Sequence, residues 1–206
     1  MSALTVIKLG GSLADSDAAA ALMRSLSARR PGRLIVVPGG AEFAKTVRRA
    51  QRRHAFDDRA AHHMALLAMH QYAIMLAALA PCFAVAESPP EFESAWQREL
   101  TPVWAPERMA LAATDLPASW DVTSDSLAAW LAARTGAARL MLVKSCAVPE
   151  ALRRDASALA AAGIVDAAFP GVVGGAEFAW EIVSGPDAAL KALAARSEVD
   201  GGAHPA

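Results

Sequence analysis

Cysteine is scarce in this chain, which has only Cys82 and Cys146 among its 206 residues. The two lie far apart, and neither belongs to a spacing that binds metal or exchanges disulfides. A zinc module, a redox motif and a disulfide framework are therefore excluded. Because each cysteine lies in an apolar segment, we predict that both are small buried hydrophobic residues in a reducing compartment.

An excess of charge of one sign is also absent, since 20 lysines and arginines oppose 21 acidic residues. No overall field therefore attracts nucleic acid or an anionic membrane surface. The most apolar window, residues 64–86, contains His70, Gln71 and Pro81, which argues against a membrane span. The N-terminus lacks the basic region and long apolar stretch of a signal peptide. We predict a soluble, cytoplasmic protein that binds neither nucleic acid nor membrane.

Short apolar or β-branched runs alternate with segments of helical length along the whole chain. This alternation is typical of an α/β fold in which helices cover both faces of a mainly parallel sheet. No linker divides the sequence, so we predict one domain over residues 1–196 and a flexible tail over 197–206. Residues 102–106 and 108–113 are predicted to be short extended pieces. Strands are expected within 4–9, 33–37, 81–88, 139–145 and 178–184, and helices within 15–29, 41–54, 57–79, 91–97, 123–136, 155–162 and 186–195.

Three of the predicted strands end in turns that are rich in glycine, lysine or serine. Lys8-Leu9-Gly10-Gly11-Ser12 ends the first strand, Gly39-Gly40 follows the second, and Lys144-Ser145 ends a later one. Ligands of an open parallel sheet bind at the carboxyl ends of its strands. Paired glycines let backbone N–H groups approach a ligand, and a helix N-terminus directly behind them favours anions. The turns therefore predict a channel for phosphate or carboxylate groups.

Lys8 lies inside the first strand, two residues before Gly10, whereas a Walker-type loop places its lysine after the glycines. Its neighbours Val6, Ile7 and Leu9 are apolar, so much of its side chain is expected to be buried. A buried ammonium group without a partner is costly. One interpretation is a lysine whose head reaches water at the strand end. Because Lys8 lies beside two glycine turns, the better interpretation is an anion site that supplies its counter-charge.

The segment 121–126 crowds polar residues before an apolar helix. Asp, Ser and Thr in such a place are first of all helix caps. Capping needs one or two of them, so a surplus carboxylate is available to orient a lysine or a magnesium ion. The polar residues are Asp121, Thr123, Ser124, Asp125 and Ser126.

Three segments in this order, VIKLGGSLA, VVPGGAEFA and DVTSDSLAAWLA, resemble the amino acid kinase family. The resemblance extends from Thr5 to the final VSGPDAALKAL. It implies a three-layer αβα sandwich in which ATP lies over the C-terminal half of the sheet and the acceptor over the N-terminal half. The segments DDRAAHHMALLAMHQY and SWDVTSDSLAAWLA are most similar to a small subgroup that includes the aminomethylfuran phosphate kinase of methanofuran biosynthesis.

The resemblance also implies roles for the residues that match the motifs of the family. Lys8 would steady the phosphoryl group in transfer, and Asp125 would orient the catalytic lysines. ATP and Mg²⁺ are the implied cofactors, and an ionised phosphate or carboxylate acceptor needs no general base. The phosphate-binding loop would comprise Gly10, Gly11 and Ser12, and the acceptor would contact Gly39, Gly40, Asp121, Thr123 and Ser124.

The late part of the sequence departs from the family pattern. Many members carry a second catalytic lysine there, but the segment VVGGAEFAWEIVSG has none, and the next lysine is Lys191. Our hypothesis is that Lys144 supplies the missing positive charge or binds the nucleotide phosphates, with Ser145 beside it. The alternative is that Lys144 is a solvated residue at the end of its strand.

Five basic residues share one face of the helix that follows Gly40. The distal arginines are expected to be solvated, but Lys45 lies one turn past the glycines and is predicted to bind an anionic acceptor. On the next helix, Arg59 and His62 are predicted to line the acceptor pocket, where Arg59 would hold a phosphate through two hydrogen bonds. The histidines meet no recognised metal-ligand motif. The basic residues are Lys45, Arg48, Arg49, Arg52 and Arg53.

We therefore predict an ATP-dependent kinase that converts a small phosphate acceptor into a diphosphate, with [5-(aminomethyl)furan-3-yl]methyl phosphate as the specific acceptor. Two rival functions stay open. One is a carboxylate or carbamate kinase of the same fold, and the other is a nucleotide- or anion-binding protein that has lost catalysis. The missing late lysine is the main argument for the second. We expect a homodimer or a larger homo-oligomer.

Overall fold

One parallel sheet of six strands forms the centre of the protein, for which a computed structural model describes residues 3–29 and 32–201. Its strands are β1 (Thr5–Leu9), β2 (Leu34–Pro38), β3 (Phe83–Ala86), β4 (Thr101–Trp104), β5 (Arg139–Lys144) and β6 (Ala179–Ser184). Their order across the sheet is β3-β4-β2-β1-β5-β6. Strand β1 is therefore central, and its Lys8 lies opposite Val37 of β2 and Leu142 of β5.

Helices connect the strands and cover both faces of the sheet. Two short 3₁₀ helices, Gly11–Asp15 and Glu150–Leu152, accompany the α-helices. The α-helices are α1 (Ala18–Arg29), α2 (Ala41–His54), α3 (Asp58–Ala78), α4 (Pro89–Gln97), α5 (Glu107–Ala112), α6 (Ser124–Arg134), α7 (Ala156–Ala161), α8 (Phe169–Val173) and α9 (Gly185–Gly201).

Two hydrophobic cores flank the sheet, and alternate residues of β1 enter different ones. Val6 packs in one core with Leu127 of α6, whereas Ile7 packs in the other with Leu22 of α1. Side chains alternate across a strand, so Lys8 lies on the same face as Val6, the face that α6 covers. The predicted α/β fold, with helices on both faces of a parallel sheet, is confirmed.

Two short helices differ from the sequence predictions. The extended piece predicted at 108–113 is wrong, because α5 occupies most of it. Its residues, Glu-Arg-Met-Ala-Leu-Ala, all favour helix, and burial of Ala110 fixes it on the core. Helix α8 was not predicted, since its Pro170 and Gly171 suggest a loop. Proline is tolerated in the first turn of a helix, and the fully buried Phe169 anchors this one.

The last helix continues to Gly201, beyond its predicted end at Ala195, since no glycine or proline interrupts the sequence between Pro186 and Gly201. The segment predicted to be a flexible tail therefore begins inside α9, and residues 202–206 lie outside the described residues.

The prediction of two buried cysteines is wrong for Cys146, which is exposed, whereas Cys82 is half-buried. Within the described ranges, no helix combines the length and apolar character needed to cross a bilayer.

Candidate active site

Two lysines and one aspartate meet at the carboxyl ends of the central strands. Lys8 comes from β1, Lys144 from the end of β5, and Asp125 from the first turn of α6. The Lys8 ammonium lies 2.7 Å from Oδ1 of Asp125, and the Lys144 ammonium lies 2.7 Å from Oδ2 of the same carboxylate. All three side chains are buried, with relative exposures of 3%, 5% and 9% for Lys8, Asp125 and Lys144.

Lys8, Asp125 and Lys144, which we call the triad, form a buried site with a net positive charge. Burial by itself raises the pKa of Asp125, but the charges of Lys8 and Lys144, and the hydrogen bonds they donate, outweigh it and lower that pKa. Burial, followed by the charge of Lys8, lowers the pKa of Lys144 to about 8 against the opposing attraction of Asp125. One carboxylate thus neutralises only part of the charge of two ammonium groups. An anionic ligand would complete the balance.

The two predicted glycine turns lie against each other beside the triad. The N–H of Gly10 donates to the carbonyl of Val143 at 2.9 Å, which ties the first turn to β5. A Cβ placed on Gly39 would lie 2.4 Å from the backbone nitrogen of Gly11 and 2.7 Å from its Cα. Only glycine permits this approach, because both neighbouring atoms belong to the backbone. The contact brings the loops after β1 and β2 together.

The start of α2 is also unusually tight. A Cβ on Gly40 would lie 2.3 Å from the Cβ of Ala44, and Ala41 has a φ of 47°, in the left-handed region. That conformation costs a non-glycine residue roughly 1–2 kcal/mol. The turn therefore concentrates strain at a helix N-terminus, where free N–H groups favour anions.

Serines close the other side of the first loop. The hydroxyl of Ser12 lies 2.6 Å from that of Ser145, so the loop after β1 also reaches the loop after β5. Both hydroxyls are near the surface. The three turns that the sequence singled out therefore surround one end of β1 and β5.

Asp166 is a site residue that the sequence analysis missed. Its carboxylate accepts hydrogen bonds from the N–H and the hydroxyl of Thr123, at 2.9 and 2.8 Å, and from the N–H and the hydroxyl of Ser126. Thr123 is the N-cap of α6, but its own side chain makes no capping bond. The group that caps α6 therefore lies about 40 residues downstream in the sequence, and no local sequence pattern predicts it. Asp125 is left free to hold the lysines.

A cavity of about 180 Å³ lies between α2, α3 and the start of α6. Its floor is buried and largely apolar, and it lies next to the second glycine turn and to the residue before Asp125. The lining residues are Gly40, Ala41, Ala44, Lys45, Arg48, His62, Ala65, Leu66, Met69, Ser119, Trp120, Val122, Thr123, Ser124 and Leu127.

Three basic side chains, those of Lys45, Arg48 and His62, are among the polar groups that line this cavity. Lys45 is exposed and pairs with Asp15 at 3.0 Å and with Glu42 at 3.3 Å. Burial, and to a lesser degree the charge of His63, lowers the pKa of His62, so its imidazole is neutral at pH 7. Arg48 was predicted to be solvated. It is exposed, but its guanidinium lies 3.9 Å from the centre of the Trp120 ring, at the wall of the cavity.

Two predicted acceptor residues lie elsewhere. Arg59 lines a neighbouring cavity of about 540 Å³ at the start of α3, and His62 lines both cavities. Asp121 is exposed and lies outside both linings, and its backbone carbonyl accepts a hydrogen bond from Ala168 at 3.0 Å. The other predicted acceptor residues line the cavity of 180 Å³, except Gly39, which packs beneath it against Gly11.

Paired ammonium groups on a buried carboxylate, beside two glycine turns, have the chemistry that phosphoryl transfer needs, since this reaction depends on positioning and positive charge more than on covalent chemistry. The chain belongs to the amino acid kinase family, whose profile matches residues 3–147. The predicted family is thus confirmed, and with it an ATP-dependent kinase. No curated protein matches the chain.

Solved structures share the fold. Uridylate kinase from Archaeoglobus fulgidus is similar with a TM-score of 0.69 at 14% identity, over 94% of this chain and 96% of that chain. UMP kinase from Ureaplasma parvum has a TM-score of 0.64 at 14% identity, with the same coverage of 94% and 96%. Aspartate kinase from Synechocystis has a TM-score of 0.64 at 14% identity, over 88% of this chain and 38% of that chain.

Proposed function

We propose that the protein transfers the γ-phosphoryl group of ATP to the phosphate group of a small acceptor and so forms a diphosphate. The triad of Lys8, Asp125 and Lys144 is the observation that carries this proposal. It holds two ammonium groups at fixed positions where the glycine turns meet. Ammonium groups that are already in position stabilise the phosphoryl group during its transfer, because they do not have to reorganise as the reaction proceeds.

The position of each lysine suggests a division of labour. Lys8 lies two residues before the Gly10–Gly11 turn, so it serves the phosphoryl group in transit while the backbone N–H groups of the turn hold the phosphates. Lys144 lies on the β5 side, beside Ser145, and serves the nucleotide. Asp125 acts on both by fixing their ammonium groups. Because a phosphate acceptor is already ionised, no side chain has to remove a proton from it.

Magnesium fits the site as a companion of ATP. Mg²⁺ in such sites is commonly bound by substrate phosphates, waters and one or two carboxylates. In the described part of the chain, no group of three or more His, Cys, Asp and Glu side chains is placed to hold a metal ion. We therefore propose that Mg²⁺ is held chiefly by the phosphates of ATP, where it neutralises charge.

The cavity beside the second glycine turn favours a small anionic acceptor. Its volume of about 180 Å³ is below the roughly 300–1,000 Å³ of pockets for drug-sized ligands. Its lining includes Lys45 and Arg48 and, among the residues that the structure describes, no acidic side chain. Gly40 joins the lining to the turn that would receive the phosphate of the acceptor.

Within this class, we propose [5-(aminomethyl)furan-3-yl]methyl phosphate as the acceptor. The two segments that resemble the aminomethylfuran phosphate kinase subgroup, residues 57–72 and 119–132, supply ten of the fifteen residues that line the cavity. The resemblance is therefore concentrated at the acceptor cavity. The apolar floor formed by Leu66, Met69 and Leu127 suits a flat five-membered ring.

The test is acceptor-dependent release of ADP by the purified protein with ATP and Mg²⁺. The panel comprises the furan phosphate, isopentenyl phosphate, UMP, aspartate, N-acetylglutamate and carbamate, with Lys8→Met as the inactive control. We expect turnover with the furan phosphate and a diphosphate product in the ³¹P spectrum. Turnover only with a carboxylate or carbamate would favour the first rival function. Binding of ATP without turnover on any acceptor would favour a protein that has lost catalysis.

We also propose that the protein forms a homodimer or a larger homo-oligomer. Helix α3 exposes Met64, Leu67, Ile74 and Met75, with relative exposures between 39% and 55%. An apolar stripe of this kind on one helix is often covered by a partner. Light scattering at several concentrations tests the proposal, and a monomer at every concentration would contradict it.

A further inference from the structure

One carboxylate, that of Asp166, bridges the N-termini of two helices. Its Oδ2 accepts from the N–H of Thr123 at 2.9 Å and from the N–H of Ser126 at 3.0 Å, both at the start of α6. Its Oδ1 accepts from the N–H of Phe169 at 3.1 Å, the first residue of α8. The hydroxyls of Thr123 and Ser126 also donate to it. The N-terminus of α6, a helix of 11 residues, presents free N–H groups and a partial positive charge, so an anion placed there is strongly held.

Asp166 fixes the very turn that carries Asp125. The two backbone donors, Thr123 and Ser126, lie on either side of Ser124 and Asp125 in the sequence. Holding both ends of a four-residue turn leaves the Asp125 backbone little freedom. The Asp125 carboxylate then points away from the cap and meets both lysines.

The charge of Asp166 also acts on the triad. Lys144 is faced by Lys8 from β1, by Asp125 from α6 and by Asp166 from the segment before α8. Burial and Lys8 lower its pKa, whereas Asp125 and Asp166 raise it. Asp166 thus helps Lys144 to keep its proton.

We propose that Asp166 is a positioning residue of the kinase, one that aligns Asp125, and through it Lys8 and Lys144, by capping α6 from outside that helix. The expected effect of Asp166 on turnover rests on the proposed phosphoryl transfer, whereas its expected effect on the triad does not. Asp166 lies beyond residues 3–147, the part of the chain that matches the family, so the match assigns it no role.

The principal variant is Asp166→Asn, which keeps one acceptor oxygen and the size of the side chain but removes the charge. Asp155→Asn is its matched control, because Asp155 caps α7 by accepting from Ala158 at 2.9 Å and is exposed. The double variant Thr123→Val/Ser126→Ala removes the hydroxyl donors and keeps the Asp166 charge. Thermal unfolding of every variant measures the change in stability that accompanies each substitution.

For Asp166→Asn we expect kcat to fall about 10- to 100-fold with little change in the KM for ATP, because a small misplacement of catalytic groups costs about that much. The alkaline limb of the pH profile of kcat/KM moves to lower pH, because Lys144 loses its proton more readily. The double variant lowers kcat but leaves this limb in place. Asp155→Asn leaves kcat, the limb and the melting temperature nearly unchanged, because asparagine caps a helix about as well as aspartate.

A measurement that needs no turnover separates this proposal from the proposed function. Acetylation of Lys144 by limiting acetic anhydride, followed by mass spectrometry across pH, reports the fraction of Lys144 that is unprotonated. The midpoint is expected to fall in Asp166→Asn and to stay unchanged in Asp155→Asn. If no acceptor is turned over but the midpoint falls as described, the kinase proposal fails and the influence of Asp166 on the triad stands. If Asp166→Asn loses stability with kcat and midpoint intact, Asp166 is only a cap.

Discussion

The Lys144 ammonium lies 2.7 Å from Oδ2 and 2.9 Å from Oδ1 of Asp125, the carboxylate that also holds Lys8. The alternative of a solvated strand end is therefore wrong, since Lys144 is buried and paired. Strands β1 and β5 are direct neighbours, which brings both lysines to one edge of the sheet. This arrangement supports the proposal that Lys144 provides the positive charge that the late segment lacks.

Replacement of Lys144 tests that proposal directly. For Lys144→Met we expect kcat to fall about 10²- to 10³-fold, the usual cost of removing one preorganised group that stabilises the transition state. Steady-state kinetics with varied ATP gives the KM as well, and a rise in it would indicate contact with the nucleotide phosphates. If both constants were those of the unmodified protein, Lys144 would have no part in the reaction. Lys191→Met, in α9, is the control for loss of a lysine.

The pH profile follows from the pKa of Lys144, which burial and the charge of Lys8 lower to about 8. The protonated form carries the useful charge, so kcat/KM for ATP is expected to be level below pH 7 and to fall as pH rises through 8. Bound ATP adds negative charge that favours the ammonium form, so the limb of kcat should lie at higher pH. Lys144→Arg stays charged throughout, and a limb that persisted unchanged in it would belong to another group.

Much of the fold could be predicted because local patterns determine it. The strand at residues 4–9 and the helix at 41–54 were placed within a residue of β1 and α2. Two short helices, α5 and α8, were not predicted, because they depend on a few buried contacts such as that of Phe169. Their sequences carry too few residues for a hydrophobic period to appear.

The residues of the candidate site also divide into those that a local sequence pattern predicts and those that it does not. Lys8, Gly10 and Gly39 could be identified because each belongs to a strand-to-loop turn, whose chemistry is local. Asp166 and Arg48 could not be identified in this way. Asp166 acts on α6 from about 40 residues away in the sequence. Arg48 differs from the other arginines on the basic face of α2 by its contact with the ring of Trp120. Such contacts arise from the packing of distant segments. A pattern within one segment does not contain them.

Removal of the Asp125 carboxylate should destabilise the protein. Asp125→Asn removes the carboxylate that two buried ammonium groups share, and loss of one partner from a buried ion pair costs about 3–5 kcal/mol. The double variant Asp125→Asn/Lys144→Met removes one of those charges and should regain part of the loss while staying inactive. Urea denaturation measures both free energies of unfolding. A single variant as stable as the unmodified protein would mean that water reaches the triad.

Gly39 should tolerate no side chain, because a Cβ there would lie 2.4 Å from a backbone atom of Gly11. Gly39→Ala is therefore expected to force the two glycine turns apart, to lower the melting temperature and to weaken ATP binding by calorimetry. Gly171→Ala is the matched control: its Cβ would meet nothing within 4 Å, and it lies in α8. That variant should be neutral or stabilising by roughly 0.4–1 kcal/mol. Equal effects of the two substitutions would show that the contact between the turns is not needed.

Lys45 offers the sharpest test of the acceptor cavity. It lines the cavity and pairs with Asp15 and Glu42, so Lys45→Glu would gather three carboxylates where a phosphate is proposed to bind. We expect the KM for the furan phosphate to rise roughly 10- to 100-fold, the scale of a lost charge-assisted hydrogen bond, with the KM for ATP unchanged. Arg49→Glu is the control, since Arg49 is exposed on the same helix, donates to Thr46 and does not line the cavity as described. If the two variants raised the acceptor KM equally, the effect would come from the charge of the whole helix and not from Lys45 in the cavity.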